Sequence, residues 1–350
     1  PDYRWGTFPS FSLAWRMSSE EFMQGLTWLD DLKIRGGWGQ TGNQSGVGDY
    51  AYLQRYNITR QAWFETGKED ALPLITQANL RTSDLTWETT SQVNLGLDAT
   101  LFADRVTIAM DYYSKHTEDM LMYVSLPAGA AAASNIVRNE GEMMNRGVEF
   151  SVSSRNFTGA FTWSTDFNIS HNTNELKSLE LQQIYYDAET GELMYRDTNE
   201  DGKITASDRT YIGDPNPAFT FGLTNTFSYK GFSLNVFLQG SVGNDIFNAS
   251  KGDVMGMYDL KNQSREVLER WRTPGQITDV PKAGFVMQPS SYFIEDGSYL
   301  RVKDITFSYN FNGGILNKLG VSRLQPYVTA TNLLTLTDYS GMDPEVNQWG

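Results

Sequence analysis

The chain has 350 residues, of which 13% are aromatic and none is cysteine, and its formal net charge is −14. The lack of cysteine excludes disulfides, thiolate metal sites and a cysteine nucleophile, and the negative charge argues against a nucleic-acid partner. There is no run of about eighteen apolar residues, which excludes a membrane-spanning helix but not spanning strands of about ten alternating residues.

Alternation of apolar and polar residues with a period of two predicts about ten β-strands. The clearest is at residues 92–101, where Val93, Leu95 and Leu97 point to one face and Gln92 and Asn94 to the other. In chain order, the strands are predicted near residues 10–16, 32–41, 92–101, 106–113, 148–152, 161–169, 219–227, 232–238, 299–311 and 325–334. Each strand thus has one apolar face and one polar face.

Short and long connections alternate between these strands. The short ones lie at residues 102–104, 156–159 and 230–231, and the long ones at 42–89, 125–141, 173–216 and 244–298. Two connections, 17–31 and 312–323, are of intermediate length, and the first contains a predicted capped helical turn near residues 19–23. Outer-membrane barrels place short turns on the periplasmic side and long loops outside.

A soluble β-sandwich or propeller also shows alternating strands, but it has no reason to place its long loops at one end. Aromatic residues near the short turns (Phe161, Phe227, Tyr229 and Phe232) suit a girdle at the membrane interface. The predicted fold is all-β: part of an antiparallel transmembrane β-barrel of about ten strands, with long extracellular loops and short periplasmic turns.

Several ordered sequence blocks resemble the SusC/RagA-like family of TonB-linked outer-membrane transporters. They are FPSFSLAWR at 8–16, DLKIRGGWGQTGNQ at 31–44, LTWE at 85–88, NRGVE at 145–149, IGDPNP at 212–217, YLRVK at 299–303 and YSGMDPE at 339–345. The resemblance covers essentially the whole chain, and several blocks in the same order are more specific than any single motif.

This resemblance implies a plugged barrel of roughly 22 strands in the bacterial outer membrane. It implies import of oligosaccharides or peptides, with a SusD-like surface lipoprotein, the TonB complex and outer-membrane lipid as partners. Residues 1–350 are then expected to be the C-terminal part of the barrel, without the plug, the TonB-contacting segment and the closing strand. The first residues show no signal peptide, as expected for a fragment.

Residues 197–208 follow the spacing of an EF-hand-type calcium loop within a long extracellular loop. The predicted metal ligands are Asp197, Asn199, Asp201, the Lys203 carbonyl, Thr205 and Asp208. Position 12 of the loop is Asp instead of Glu, which predicts weaker calcium binding. An acidic turn held by side-chain to backbone hydrogen bonds, without metal, is the alternative.

No organic cofactor and no catalytic residue are predicted. Gly37, Gly39 and Gly42 match G-x-G-x-x-G, but no helix pattern follows to hold a pyrophosphate. His116 and His171 lie near predicted strand ends and lack the spacing of a zinc hydrolase. The sequence therefore predicts that the chain is not an enzyme.

Aromatic residues in the long loops are candidates for stacking on a substrate, although packing of loop against loop is the commoner role. They are Tyr50, Tyr52, Tyr56, Trp63, Tyr185, Tyr186, Tyr292 and Phe293. No substrate-binding residue can be assigned from the sequence. Two other functions remain open: a calcium-stabilised surface module that binds carbohydrate, and a passive porin or adhesin barrel.

Overall fold

The computed structural model describes residues 5–45, 52–64, 71–82, 84–125, 135–175, 180–182, 184–186, 190–258, 260–284, 290–311, 316 and 320–345. None of the helical segments in these ranges has the length and apolar character that a membrane span requires.

The described residues are organised mainly as β-strands. In chain order they are β1 (Ser10–Arg16), β2 (Leu29–Asn43), β3 (Arg55–Phe64), β4 (Ala71–Asn79), β5 (Glu88–Leu101), β6 (Val106–Glu118), β7 (Leu121–Ser125), β8 (Asn135–Asn139), β9 (Met143–Thr158), β10 (Phe161–Glu175), β11 (Glu180–Gln182), β12 (Ile184–Tyr186), β13 (Leu193–Tyr195), β14 (Arg209–Tyr211), β15 (Phe219–Tyr229), β16 (Phe232–Val242), β17 (Asp245–Phe247), β18 (Ile294–Asp296), β19 (Tyr299–Tyr309) and β20 (Tyr327–Thr337). The α-helix α1 (Ser250–Met255) and short 3₁₀ turns lie in the connections.

Ten of the strands form one antiparallel sheet in the order β1-β2-β5-β6-β9-β10-β15-β16-β19-β20. Each of these strands pairs with the next one of the sheet along the chain, as in an up-and-down barrel wall. This arrangement confirms the predicted all-β antiparallel fold. The strands β1 and β20 form the two edges of the described sheet.

The two faces of the sheet differ in chemistry. Large apolar side chains such as Leu95, Met110 and Phe307 are exposed on one face, which we call the outer face. The opposite, inner face carries polar residues such as Asn94 and Asp98, as strand alternation requires. An exposed apolar face on a ten-stranded sheet suits contact with lipid, and a polar face suits a wet lumen.

One end of the sheet carries the tight connections and is called the turn end here; the opposite end is the loop end. At the turn end, Lys230 and Gly231 have φ angles of 47° and 91°. Two positive φ angles in a two-residue turn are typical of type I′, whose twist matches that of the flanking strands. The turn between β9 and β10 is shorter than predicted, because β9 extends to Thr158.

Aromatic rings cluster on the outer face near the turn end. Phe157 stacks on Trp163 with centroids 5.8 Å apart, Trp163 stacks on Phe227 at 5.8 Å, and Phe161 lies 6.4 Å from Phe227. Further along the sheet, Phe232 stacks on a β19 ring at 5.7 Å. Of the predicted girdle residues, Phe161 and Phe227 are therefore in contact, and Phe232 belongs to a second ring pair at the same end of the sheet.

Two local predictions differ from the structure. The long connections contain paired strands, with β3–β4, β7–β8, β12–β13 and β17–β18 as separate two-stranded sheets. Near residues 19–23, two 3₁₀ turns without side-chain caps replace the predicted capped helical turn. The Glu20 carboxylate accepts a hydrogen bond from the Trp15 indole at 2.9 Å instead of capping the turn.

Candidate functional site

A charged cluster lies on the inner face across three strands. The Arg35 guanidinium on β2 donates to Asp98 at 3.1 Å and lies 2.6 Å from Asp111. Lys33 contacts the same Asp98 carboxylate at 3.4 Å. Because all four side chains face inward, their charges are kept on the wet side of the wall, where charged groups are tolerated.

Glycines provide room for large polar side chains to lie flat on this inner face. A Cβ atom on Gly96 would lie 2.5 Å from Cζ of Arg35, and one on Gly147 would lie 2.4 Å from Cζ of Tyr113. Over Gly147, the Tyr113 hydroxyl donates to Asn172 at 3.0 Å. Both glycines therefore act as seats that hold polar side chains against the wall.

A second ionic network lies at the loop end of β19. The Arg301 side chain donates to Asp343 at 2.6 Å and also contacts Glu345. Lys303 binds the same Glu345 carboxylate at 2.6 Å, and Arg301 is only 3% exposed. The segment that follows β20 is thereby fixed against the inner face of β19.

The two carboxyl groups of this network have lowered pKa values. For Asp343, the hydrogen bond from Arg301 lowers the pKa and outweighs the opposing effect of burial. For Glu345, burial raises the pKa, but Lys303, Tyr299 and Arg301 together lower it by a larger amount, so the net shift is downward. Both groups are therefore anionic partners that depend on the basic side chains of β19.

A third polar network joins the loop that contains α1 to β18 and to the segment after β20. Glu295 accepts hydrogen bonds from Asn248 at 3.3 Å and from the Ser340 hydroxyl at 2.9 Å. Lys251 lies 3.4 Å from the same carboxylate and 4.3 Å from the centroid of the Tyr292 ring. These contacts hold three chain segments together at the loop end.

Burial and charge alter the acid–base properties of this third network. Burial, with added repulsion from nearby carboxylates, raises the pKa of Tyr292 to about 12. Burial also raises the pKa of Glu295, but hydrogen bonds from Ser340 and the charge of Lys251 outweigh it and leave the pKa lowered. Glu295 is therefore a carboxylate at neutral pH and can pair with the Lys251 side chain.

In the predicted calcium loop, the Asp208 carboxylate is fully buried, with 0% exposure. It accepts hydrogen bonds from the backbone N–H groups of Thr198 at 3.1 Å and of Thr205 at 2.6 Å. The hydrogen bond from Thr205 has the largest effect on the pKa of Asp208. Together these hydrogen bonds outweigh the effect of burial and lower that pKa. The carboxylate at position 12 is thus held within the turn by backbone N–H groups.

The other predicted ligands lie on the same turn. Asp197 accepts from the N–H groups of Asp201 at 3.2 Å and of Gly202 at 2.7 Å, and Asn199 accepts from Asp201 at 3.0 Å. Gly202 has a φ of +79°, the left-handed conformation that a sharp loop turn needs. The Lys203 N–H donates to Asp201 at 2.8 Å. The donor set is oxygen-rich, as calcium prefers.

Among the described side chains, the carboxylates of residues 197–208 do not form a group of three whose ligand atoms all lie within 4.8 Å of one another. One such group is present elsewhere: His116, Glu118 and Glu142, near the loop ends of β6 and β9. Glu118 and Glu142 are exposed, and exposed groups of this kind are common without a metal. Calcium binding by residues 197–208 stays a prediction.

The aromatic residues proposed for substrate stacking do not share one environment in the structure. The side chains of Tyr50, Trp63, Tyr185 and Tyr186 lie outside the described residues, and Tyr56 is exposed. Phe293 is buried against Phe247, with centroids 5.4 Å apart, and against Tyr292 at 5.5 Å. For Tyr292 and Phe293, the role is packing of loop against loop.

The glycines of the G-x-G-x-x-G match lie within β2, with Gly37 opposite Ser12 and Gly39 opposite Ser10. They lie toward the end of this strand and do not begin a helix; the absence of a dinucleotide site stays a prediction. His171 lies within β10, and its ring contacts the carbonyl oxygen of Ala218. These glycines and His171 are therefore part of the strands of the ten-stranded sheet.

Comparison with known proteins shows which family the ten-stranded sheet belongs to. Residues 1–333 match the family model described as TonB dependent receptor-like, beta-barrel. The chain belongs to this family of outer-membrane receptor barrels. The relatives below are receptors and transporters, which confirms that the chain is not an enzyme.

The similar proteins include TonB-dependent receptor P3 of Formosa agariphila, 32% identical over 98% of this chain and 39% of the relative. TonB-dependent receptor SusC of Bacteroides thetaiotaomicron is 29% identical over 99% of this chain and 38% of the relative. The RagAB peptide transporter structure has a TM-score of 0.85 and 25% identity, over 98% of this chain and 41% of that one. The resemblance to SusC/RagA-like proteins is thus confirmed.

The chain spans about 40% of the length of these relatives. Sequence reasoning did not find the ionic networks around Arg35 and Arg301. For Arg301, the available signal was the presence of the blocks YLRVK and GMDPE. The spacing of these blocks does not indicate that they are in contact. The glycine seats also gave no signal, because a lone glycine in a strand has several explanations.

Proposed function

We propose that the chain forms part of the barrel of a TonB-dependent transporter that imports large nutrients, peptides or oligosaccharides, across the outer membrane. In this proposal a SusD-like surface lipoprotein works with the barrel at its loop end, and the TonB complex acts through a part of the protein outside these 350 residues. The wall provides a polar passage and takes no part in covalent chemistry.

The observation that carries the proposal is the match in fold over 98% of the chain to a peptide transporter, the RagAB structure. The charged inner face supports it, since a passage for hydrophilic cargo needs polar side chains on the lumen side. The three segments fixed at the loop end by Glu295, Arg301 and Glu345 support a shaped rim on which a lipoprotein partner can dock.

The test is growth of the source bacterium with the gene deleted, on a peptide mixture or on oligosaccharides as the limiting nutrient. We expect loss of growth on one class of nutrient, and the same loss when TonB is removed. Uptake that persists without TonB would favour a passive porin. Unchanged growth, together with glycan binding by intact cells, would favour a surface carbohydrate-binding module.

We also propose that residues 197–208 bind calcium at the loop end. The support is an oxygen-only donor set with the spacing of a calcium loop and an inward-facing Asp208 carboxylate at position 12. Calcium here would stiffen an extracellular loop, and it would supply no redox or hydrolytic chemistry.

A further inference from the structure

Near the turn end, the outer face of the described strands carries a polar chain among large apolar side chains. It runs across β9, β10 and β15 and consists of Ser154, Asn156, Thr165, Asn225 and the indole nitrogen of Trp163. Thr165 and Asn225 lie opposite each other, and the next outward pair on the same two strands is Phe167 and Leu223. Polar groups in hydrocarbon are costly unless they are satisfied, so this cluster requires a physical explanation.

A β-bulge brings one member of the cluster to this face. On β9, Arg155 lies opposite Ser164 and Phe157 lies opposite Trp163, so Asn156 is an extra residue without an opposite partner. Its amide nitrogen donates to Thr165 at 2.9 Å. Bulges often redirect a side chain at functional positions, and here the bulge adds a third polar strand to the patch.

The direction of the hydrogen bonds fixes which atoms remain free. The Trp163 indole N–H, which can only donate, lies 2.9 Å from the Asn225 side chain, so the facing atom is the amide oxygen. The Thr165 hydroxyl donates to the same oxygen at 2.8 Å, and the Asn156 oxygen accepts from Ser154 at 3.0 Å. The chain of donors therefore ends on the oxygen of Asn225.

The amide nitrogen of Asn225 is the free end of this chain. Within residues 135–175 and 190–258, which the structure describes, no hydrogen bond from this nitrogen is found. Two N–H donors thus remain on a surface that faces lipid. A ligand for them must present oxygen acceptors, and it needs no positive charge.

The depth of Asn225 in the membrane indicates the source of such acceptors. From the turn, the outward residues of β15 are Tyr229, Phe227, Asn225 and Leu223. Asn225 is about 13 Å of strand from Tyr229, or about 10 Å of depth at a tilt of about 40°. It therefore lies just inside the aromatic belt, where the glycerol esters of a phospholipid meet the hydrocarbon.

Positive charges lie at the turn end, below this point. Lys230 lies beside the Tyr229 ring, with its Nζ 5.1 Å from the ring centroid, and Arg105 donates to Thr158 at 3.2 Å. Both side chains are exposed. From the turn inward, the wall thus presents cations, then aromatic rings, then two N–H donors, then apolar side chains, which matches phosphate, interface, ester carbonyl and acyl chain.

We propose that this patch binds a phospholipid of the periplasmic leaflet, whose ester carbonyl oxygen accepts hydrogen bonds from the Asn225 amide. A second barrel is the competing occupant, but a specific protein interface buries roughly 800 Å² per partner. The part of the patch with free hydrogen-bond donors is the single Asn225 amide, which is bordered by apolar side chains. A patch of this size fits one lipid molecule better than a second barrel.

The test uses the full-length protein with its natural partners, extracted from outer membranes in a mild detergent and examined by native mass spectrometry. The probes are dioleoyl phosphatidylethanolamine and its dialkyl ether analogue, which lacks the ester carbonyls. We expect the wild-type protein to prefer the ester lipid about five-fold, the effect of one net hydrogen bond. Equal retention of the two lipids would overturn the proposal, and this comparison needs no variant.

The variant arm compares N225L with N235L, both confirmed as folded by heat-modifiable migration. Asn235 donates to Thr226 at 2.9 Å on the inner face and is therefore a matched control. We expect N225L to lose the preference for the ester lipid and N235L to keep it. If N225L keeps the preference, or changes only the oligomeric state of the barrel, the patch is not a lipid site.

Discussion

Arg301 on β19 donates from its guanidinium to the Asp343 carboxylate at 2.6 Å, so the segment after β20 is tied to the inner face of the neighbouring strand. Glu345 on the same segment contacts Arg301 as well as Lys303. Two carboxylates and two cations are thus joined across a turn that no strand pairing holds. The shape of the loop end depends on this contact.

Replacing Arg301 with Met should free that segment and leave Asp343 and Glu345 without their buried partner. We expect the free energy of unfolding to fall by about 2–3 kcal/mol. This is slightly below the usual cost of breaking a buried ion pair, because the carboxylates are partly exposed. The measurement is the midpoint temperature of heat-modifiable migration of the full-length protein. K261M is the control, since the Lys261–Asp253 pair is exposed and contributes little.

The same network predicts a pH dependence. The pKa values of Asp343 and Glu345 are lowered from ordinary values of 3.8 and 4.5. A carboxyl group with a lowered pKa in the folded state stabilises the fold above its ordinary pKa, and this stabilisation is lost as the pH falls through the folded-state value. Protease cleavage within residues 338–345 should therefore be slow at pH 7 and should rise below about pH 4.5. In the double variant D343N/E345Q, cleavage should be fast at both pH values; the same pH response as in the wild type would contradict this account.

The seat at Gly96 should not tolerate a methyl group. In G96A the new Cβ would lie 2.5 Å from Cζ of Arg35 and would push the guanidinium away from Asp111. We expect a destabilisation of about 1–3 kcal/mol, as for other overpacked sites. Gly25 has no atom within 4 Å of its hypothetical Cβ, so G25A should leave the melting midpoint unchanged. Equal midpoints for the two variants would show that the seat is unimportant.

Calcium binding by residues 197–208 predicts a saturable signal in isothermal titration of the full-length protein. With Asp in place of Glu at position 12, the dissociation constant is expected to be about 10⁻⁴–10⁻³ M. D208N removes one negative oxygen of the donor set and should weaken binding about ten-fold or more. D253N removes an exposed carboxylate elsewhere and should have no effect. No heat change in the wild type at millimolar calcium would leave only the hydrogen-bonded turn.

Strand positions could be predicted from the sequence where a single chemical rule governs both faces. Residues 92–101 alternate without interruption, and β5 (Glu88–Leu101) contains them. Membrane strands must keep apolar side chains toward lipid, so the pattern is visible in one sequence. The alternation of short and long connections also predicts which end of the sheet is extracellular.

Features that depend on contacts between distant residues could not be predicted. The hairpin of β7 and β8 lies in a connection that reads as loop, because its pairing depends on two short segments meeting. The bulge at Asn156 changes the face of one residue without a signal in the alternation. The Arg301–Asp343 pair spans 42 residues. In each case the contact joins separate segments of the chain, and the local pattern of residues does not record it.

The most direct test of the account is the accessibility of single cysteines at adjacent positions of β5. These 350 residues contain no cysteine, so N94C and L95C can be placed in the full-length protein after removal of any cysteine elsewhere. A water-soluble maleimide should label N94C in intact membranes and leave L95C unlabelled, while a fluorophore on L95C should be quenched by a lipid-soluble quencher. Equal labelling of both positions by the water-soluble reagent would contradict a membrane wall with an apolar outer face and a polar lumen.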